Sequence, residues 1–214
     1  NDDTITGNNS DNTILGNVGK DLIYGSEGKD TIDGGSEFDS VDYAKMNQKI
    51  VLTTTSNTTT NTTTYTVTKG SGKVDTLTNV EEIIGTSYDD EMTGAELSDT
   101  FRSGAGNDTL IGGKGNDYLE GGSGNDIYKA TSFDDGDDTL TDSDGSDSVD
   151  YSAITDNTYH LELNLSTTTV GVLAAGKALI KDGSTIHQTD TLLGIENVIG
   201  TAGDDTIVGN DEIN

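Results

Sequence analysis

The sequence predicts an all-β solenoid in two tandem copies, each a stack of short parallel strands followed by a hairpin-like insertion. Three observations predict it. A nine-residue beat holds through most of the chain and is clearest over 103–129, which reads SGAGNDTLI, GGKGNDYLE, GGSGNDIYK. Position eight of each unit is apolar wherever the beat holds. A longer repeat overlies the short one: Asp39-Ser40-Val41-Asp42-Tyr43 returns as Asp147-Ser148-Val149-Asp150-Tyr151, an offset of 108 residues. A fixed short period means that each repeat is part of a coil stacked on its neighbours.

The elements follow in chain order. Residues 1–43 form a first nonapeptide block, with the six–eight pair at Asp3/Ile5, Asn12/Ile14, Asp21/Ile23, Asp30/Ile32 and Asp39/Val41. Residues 44–84 form a connecting segment with strand-like runs at Lys49–Thr54 and Thr64–Thr68. The Thr/Asn run from Thr53 to Thr64 is expected to be an exposed loop, because threonine suits a strand but has little to bury. Residues 85–151 form a second block, with pairs at Asp90/Met92, Asp99/Phe101, Asp108/Leu110, Asp117/Leu119 and Asp126/Tyr128. After three extra residues, 130–132, the beat resumes at Asp138/Leu140 and Asp147/Val149. Residues 152–199 repeat the connecting segment, with strand-like runs at Tyr159–Leu165 and Val170–Leu173. Here Asp75-Thr76-Leu77 returns as Asp190-Thr191-Leu192, and Val80 to Thr86 as Ile195 to Thr201, at an offset of 115 residues. A third block opens at 200–214 with Asp205/Ile207.

The formal net charge is −28, with 39 acids against 11 Lys plus Arg. That argues against nucleic acid or an anionic membrane as partner and favours cations. There is no Cys, so no disulfide framework or thiolate metal site. The apolar runs are too short for membrane insertion. No H-E-x-x-H, G-x-S-x-G or P-loop motif occurs, so the chain is not expected to be an enzyme. It starts and stops in mid-repeat without an initiating Met, and is expected to be part of something longer.

Gly112-Gly113-Lys114-Gly115-Asn116-Asp117-Tyr118-Leu119-Glu120 and the unit from Gly121 to Lys129 match G-G-x-G-x-D-x-U-x at every fixed position, U being large and apolar. In this the chain resembles the repeats-in-toxin (RTX) family, whose repeat builds a calcium-binding parallel β-roll. The motif VDYS…GIENVIGT…DDTI is similar to segments that join repeat blocks in large secreted proteins of that family. The resemblance implies that two units make one coil and that turns two units apart stack on one edge. Glycines at positions one, two and four would let the backbone take positive φ and turn its carbonyls inward. With the position-six carboxylates of two stacked turns they would cage a calcium ion, a hard cation that takes six to eight oxygens. His160 and His187 lie outside the repeats, which disfavours zinc.

The expected metal ligands are the carboxylates of Asp3, Asp21, Asp30, Asp39, Asp90, Asp99, Asp108, Asp117, Asp126, Asp138, Asp147 and Asp205. The turn residues Gly19, Gly28, Gly104, Gly106, Gly112, Gly113, Gly115, Gly121, Gly122, Gly124, Gly136 and Gly145 join them. The Asp90 turn departs from the pattern, with Tyr88 in place of Gly, as does the unit from Gly34, with Glu37. Asp142-Ser143-Asp144-Gly145 has part of an EF-hand spacing, but its place in the nonapeptide register accounts for it. Same-edge gaps between matched turns give roughly eight ions. Each coil offers little more than two large side chains to bury, so folding and calcium binding should be one event.

The favoured role is a calcium-binding structural module of a secreted or cell-surface bacterial protein: an adhesin stalk, surface layer or filament. Copies would join end to end. The alternatives are the C-terminal export and folding domain of a secreted toxin, protease or lipase, and a module recognising glycan or ice through a Thr-rich face.

Overall fold

The computed structural model describes residues 1–166, 168, 170–171 and 174–210. The chain opens with β1 (Thr4–Thr6), β2 (Thr13–Leu15), β3 (Leu22–Tyr24), β4 (Thr31–Asp33) and β5 (Ser40–Asp42). Three longer strands follow, β6 (Ile50–Asn57), β7 (Thr62–Lys69) and β8 (Val74–Thr78). Short strands resume as β9 (Glu82–Ile84), β10 (Glu91–Thr93), β11 (Thr100–Ala105), β12 (Thr109–Ile111), β13 (Tyr118–Ser123), β14 (Ile127–Lys129), β15 (Thr139–Thr141) and β16 (Ser148–Asp150). Another long trio, β17 (His160–Asn164), β18 (Lys177–Asp182) and β19 (Thr185–Leu193), precedes β20 (Asn197–Ile199) and β21 (Thr206–Val208). No helix occurs among the described residues.

The chain alternates between two sheets and so winds as a roll. One has 11 strands in the order β1-β3-β5-β9-β11-β13-β15-β19-β18-β17-β21, and the other 10 in the order β2-β4-β8-β7-β6-β10-β12-β14-β16-β20. Short strands pair in parallel, commonly 18 residues apart, as in Thr4↔Leu22 and Thr109↔Ile127. The three extra residues at 130–132 lengthen the spacing, as in Tyr118↔Thr139.

Each short strand is the apolar end of one nonapeptide. Successive side chains alternate between faces, so position eight points in while seven and nine point out. In the first sheet Ile23, Val41, Ile83, Phe101, Leu119, Leu140 and Leu192 stack as directly paired residues, all buried. In the second sheet Met92, Leu110, Tyr128 and Val149 do the same. Met46, Val80, Ile154 and Ile195 add buried surface from the connecting segments, and Tyr43 and Tyr151 add it at the ends of the two blocks, so the core is thicker there than the nonapeptide pattern alone implies.

The connecting segments are three-stranded antiparallel meanders inserted into the sheets. β6, β7 and β8 enter the second sheet, whereas β17, β18 and β19 enter the first. The expected Thr53–Thr64 loop is therefore corrected: strand continues to Asn57 and resumes at Thr62, leaving only 58–61 as the turn. The outward threonines pair across the ladder, Thr53↔Thr66 and Thr55↔Thr64, while Ile50, Leu52, Tyr65 and Val67 fill the inner face. β8, β18 and β19 had no counterpart among the expected runs. No named strand covers the run at 170–173, in which Val172 and Leu173 lie outside the described residues.

Truncating the central stack should be costly. Phe101→Ala is expected to lose about 3–5 kcal/mol, whereas Ile127→Ala on the outer face should change stability by roughly 0.5 kcal/mol or less. Denaturant unfolding of both variants in saturating calcium checks this.

Candidate metal centre

The turns between strands stack into two edges, and one interaction recurs along both. The Oδ1 of a position-six carboxylate accepts the backbone N–H of the position-six residue one coil earlier. On one edge the donors and acceptors run Asp3 to Asp21, Asp21 to Asp39, Asp99 to Asp117, Asp117 to Asp138 and Asp138 to Asp190, at 2.7–3.1 Å. On the other they run Asn12 to Asp30, Asp30 to Asp75, Asp90 to Asp108, Asp108 to Asp126 and Asp126 to Asp147, at 2.7–2.9 Å. Glu81 and Glu196 take the same role toward the N–H groups of Asp39 and Asp147. Asp205 accepts from Leu161 N–H. Most of these carboxylates are buried, but Asp3 and Glu81 are exposed and Glu196 and Asp205 half-buried.

The second oxygen sorts the aspartates into two classes. In Asp21, Asp39, Asp108, Asp117 and Asp126 the Oδ2 is buried and has no hydrogen-bond partner. Elsewhere protein donors close the carboxylate. Asp90 accepts from Thr86 N–H at 2.6 Å, Thr86 Oγ1 at 3.0 Å and Ile50 N–H at 2.7 Å. Asp99 accepts from the Tyr65 hydroxyl, and Asp75 and Asp190 from those of Tyr43 and Tyr151. A buried polar atom without a partner is costly, so the open oxygens mark where the stack can accept a cation.

Glycine serves two purposes in these turns. Gly19, Gly104, Gly106, Gly113, Gly115, Gly122, Gly124, Gly136 and Gly145, at positions two and four, have φ between +94° and +154°. A Cβ on Gly124 would also collide with Gly106 O of the turn below. Position one is different, which corrects the expectation of positive φ there. Gly112 and Gly121 do not adopt it, and a Cβ on either would collide with the Oδ2 of its own unit's Asp117 or Asp126. The position-one glycine thus makes room for the open carboxylate oxygen. Gly28 lacks positive φ too, and Glu37 itself takes φ 88° where the pattern asks for glycine.

Among the described residues Asp126, Asp142 and Asp147 form an acidic group in which each offers an oxygen within 4.8 Å of the others. Asp142 occupies position one of its unit, and its Oδ2 accepts from the Tyr128 hydroxyl at 2.8 Å. Burial, then neighbouring carboxylates, push up the pKa of Asp126, and burial does the same to Asp147. Burial also lifts Asp117 to about 7 and Asp138 to about 8, with carboxylates on the stacked turns adding to it. Oxygen-only donors, unpartnered buried oxygens and carboxylates that resist ionising alone fit a hard divalent cation such as calcium.

Asp75, Asp190, Glu81 and Glu196 belong to the ladders, and Asp142 to the acidic group beside them, but all were absent from the expected ligand set. Four of them have an apolar residue two positions on, at Leu77, Leu192, Ile83 and Val198, which is the six–eight spacing without the glycine turn.

A two-sheet parallel roll with stacked carboxylates along both edges is a β-roll. The family model described as the RTX calcium-binding nonapeptide repeat matches in four copies, at residues 1–23, 6–41, 93–128 and 190–212. The matched stretches, together less than half of the chain, carry RTX calcium-binding nonapeptide repeats. No curated protein matches it. Among solved structures it is similar to the extracellular lipase LipA from Serratia marcescens, at 18% identity and a TM-score of 0.32 over 90% of this chain. It spans 36% of that lipase's length.

Two outcomes follow from the ladder. Asp126→Asn, which alters an open carboxylate, should lower calcium stoichiometry. Asp90→Asn, at a closed one, should leave it unchanged. Calcium titration by calorimetry compares them. The second outcome concerns pH. Asp117 and Asp138 hold protons more tightly folded than unfolded, where their pKa is near 3.8. Their contribution to a metal-free fold is fully present below about pH 4 and is lost as pH rises through about 7 to 8. Calcium competes with those protons, so its affinity should rise over the same window and level off above it. Chelator-treated protein melted across pH 4–9, beside calcium titrations at each pH, reads both.

Proposed function

We propose that the chain is a calcium-folded structural segment of a secreted or cell-surface bacterial protein, serving as an adhesin stalk, surface layer or extracellular filament. The observation that carries this reading is the pair of carboxylate ladders with open, buried oxygens running along a roll of two tandem copies. The ions would sit between stacked turns, at Asp21 and Asp39 on one edge, at Asp108, Asp126 and Asp147 on the other, and at Asp117 with Asp138. The closed carboxylates make the number fewer than the roughly eight that matched turns would allow. The division into blocks 1–43, 85–151 and 200 onward, with connecting segments 44–84 and 152–199, belongs to this proposal, as does the absence of catalysis within the segment.

Circular dichroism tests it. In chelator the chain should be largely unordered, and millimolar calcium should restore the strand signal. Equal strand content in both conditions would overturn the reading. Light scattering in calcium tests end-to-end joining of separate chains: a concentration-dependent rise in mass supports it, and a strict monomer leaves only copies along one chain. A tail of a secreted toxin, protease or lipase is the alternative, separated by what the parent gene encodes upstream.

One observation favours a second reading, recognition of glycan or ice. On the outer face of the second sheet Thr13, Thr31, Thr76, Thr66, Thr53 and Thr93 stand in one row of directly paired residues. Thr78, Thr64 and Thr55 form another. Adjacent members lie about 4.8 Å apart, the strand spacing. Ice-affinity partitioning and a glycan array would detect such binding.

A further inference from the structure

Lys69 breaks the electrostatic pattern of the ladders. It is a buried cation, only 1% exposed, at the end of β7. Its Nζ donates to Ser26 O at 2.6 Å and Gly28 O at 2.5 Å. It pairs with Asp75 Oδ1 at 2.7 Å and lies 3.8 Å from Asp30 Oδ2. Ser26 and Gly28 are positions two and four of the unit that opens at Gly25, and Asp30 is its position six. Asp75 is the carboxylate stacked on Asp30, whose N–H it accepts at 2.8 Å. The ammonium therefore holds two turn carbonyls and two stacked carboxylates, the donor set the roll would offer to a calcium ion. An ammonium has three protons, and three acceptors lie within 2.7 Å. The remaining oxygens are closed as well: Ser26 Oγ donates to Asp30 Oδ2 and the Tyr43 hydroxyl to Asp75 Oδ2.

We propose that Lys69 is a tethered cation that takes the place of calcium at the Asp30–Asp75 junction, so that the first block locks onto its meander without an ion. The second copy provides the contrast. Its matching junction is Asp138 and Asp190, and Tyr151 donates to Asp190 as Tyr43 does to Asp75. No lysine reaches it among the contacts described there. Gln188, neutral and buried, donates its amide to both Asp190 oxygens, and its own Oε1 has no partner. One copy thus closes the junction with a covalently carried cation, and the other closes it with neutral donors.

The inference rests on the reading that the other gaps bind calcium, and the test keeps the two apart. Native mass spectrometry in saturating calcium would count ions on the wild type and on Lys69→Met. Lys69→Met should hold one ion more than the wild type. A wild type that binds no calcium would sink the underlying reading and this inference with it. A wild type that binds calcium beside a folded Lys69→Met with the same count overturns only the tethered cation. Should Lys69→Met fail to fold, reductive methylation of calcium-loaded wild type decides. Lys69 left unmodified while exposed Lys49 and Lys73 are methylated supports the inference. Methylation of Lys69 overturns it, since calcium would then have displaced the side chain to solvent.

Discussion

A carboxylate buried against a stack of backbone has two oxygens to satisfy, and the neighbouring coil supplies a donor for only one. That mismatch governs this molecule. The N–H of each position-six residue reaches the Oδ1 of the carboxylate one coil on, which sets the register of the roll and packs the turns closely. The other oxygen must find something else. Where it finds a hydroxyl or a backbone amide, the junction is closed by the chain itself. Where it finds nothing, burial pushes up the pKa of the carboxyl, as at Asp117 and Asp126. A calcium ion at such an oxygen would supply the missing partner.

The apolar column is subordinate to this. Ile23, Val41, Ile83, Phe101, Leu119 and Leu140 interlock down the centre, but each contributes one side chain per coil on its sheet. Three-residue strands have few cross-strand pairs to hold them. The two meanders supply what the short strands lack, since β6 to β8 and β17 to β19 pair over longer runs and bring the buried Tyr65 and several buried leucines with them.

The nonapeptide strands were legible because two independent periods coincide in them: glycine where φ must be positive, and an apolar residue two positions after the acid. Asp117, Asp126 and their neighbours stack as that frame requires. The meanders were only half legible. Threonine alternation in β6 and β7 mimics a polar loop in composition, and only its pairing with an inward Ile50, Leu52, Tyr65 and Val67 reveals a strand. Which carboxylates would be closed was not legible at all. Tyr43 and Asp75 are 32 residues apart, and Lys69 meets Ser26 across 43. Such contacts depend on how the meander folds back, which no local pattern records. Position one was misjudged for a different reason: glycine there answers to space for an oxygen, and a sequence shows that a side chain is missing but not what fills the gap.

The placement of the meanders has a consequence for shape. In a plain roll both sheets gain one strand per coil and grow at the same rate. The first meander puts β7 and β6 between β8 and β10 in the second sheet, while β9 and β11 remain adjacent in the first. One face thereby gains two strands, about 10 Å at ordinary strand spacing, and the coils above it must tilt like bricks laid on a wedge. The second meander adds its extra strands to the opposite sheet, between β19 and β21. The two wedges face opposite ways. A pair of copies therefore cancels the lean that a single copy introduces, and an array that always kept its meanders on one sheet would curl instead of running straight.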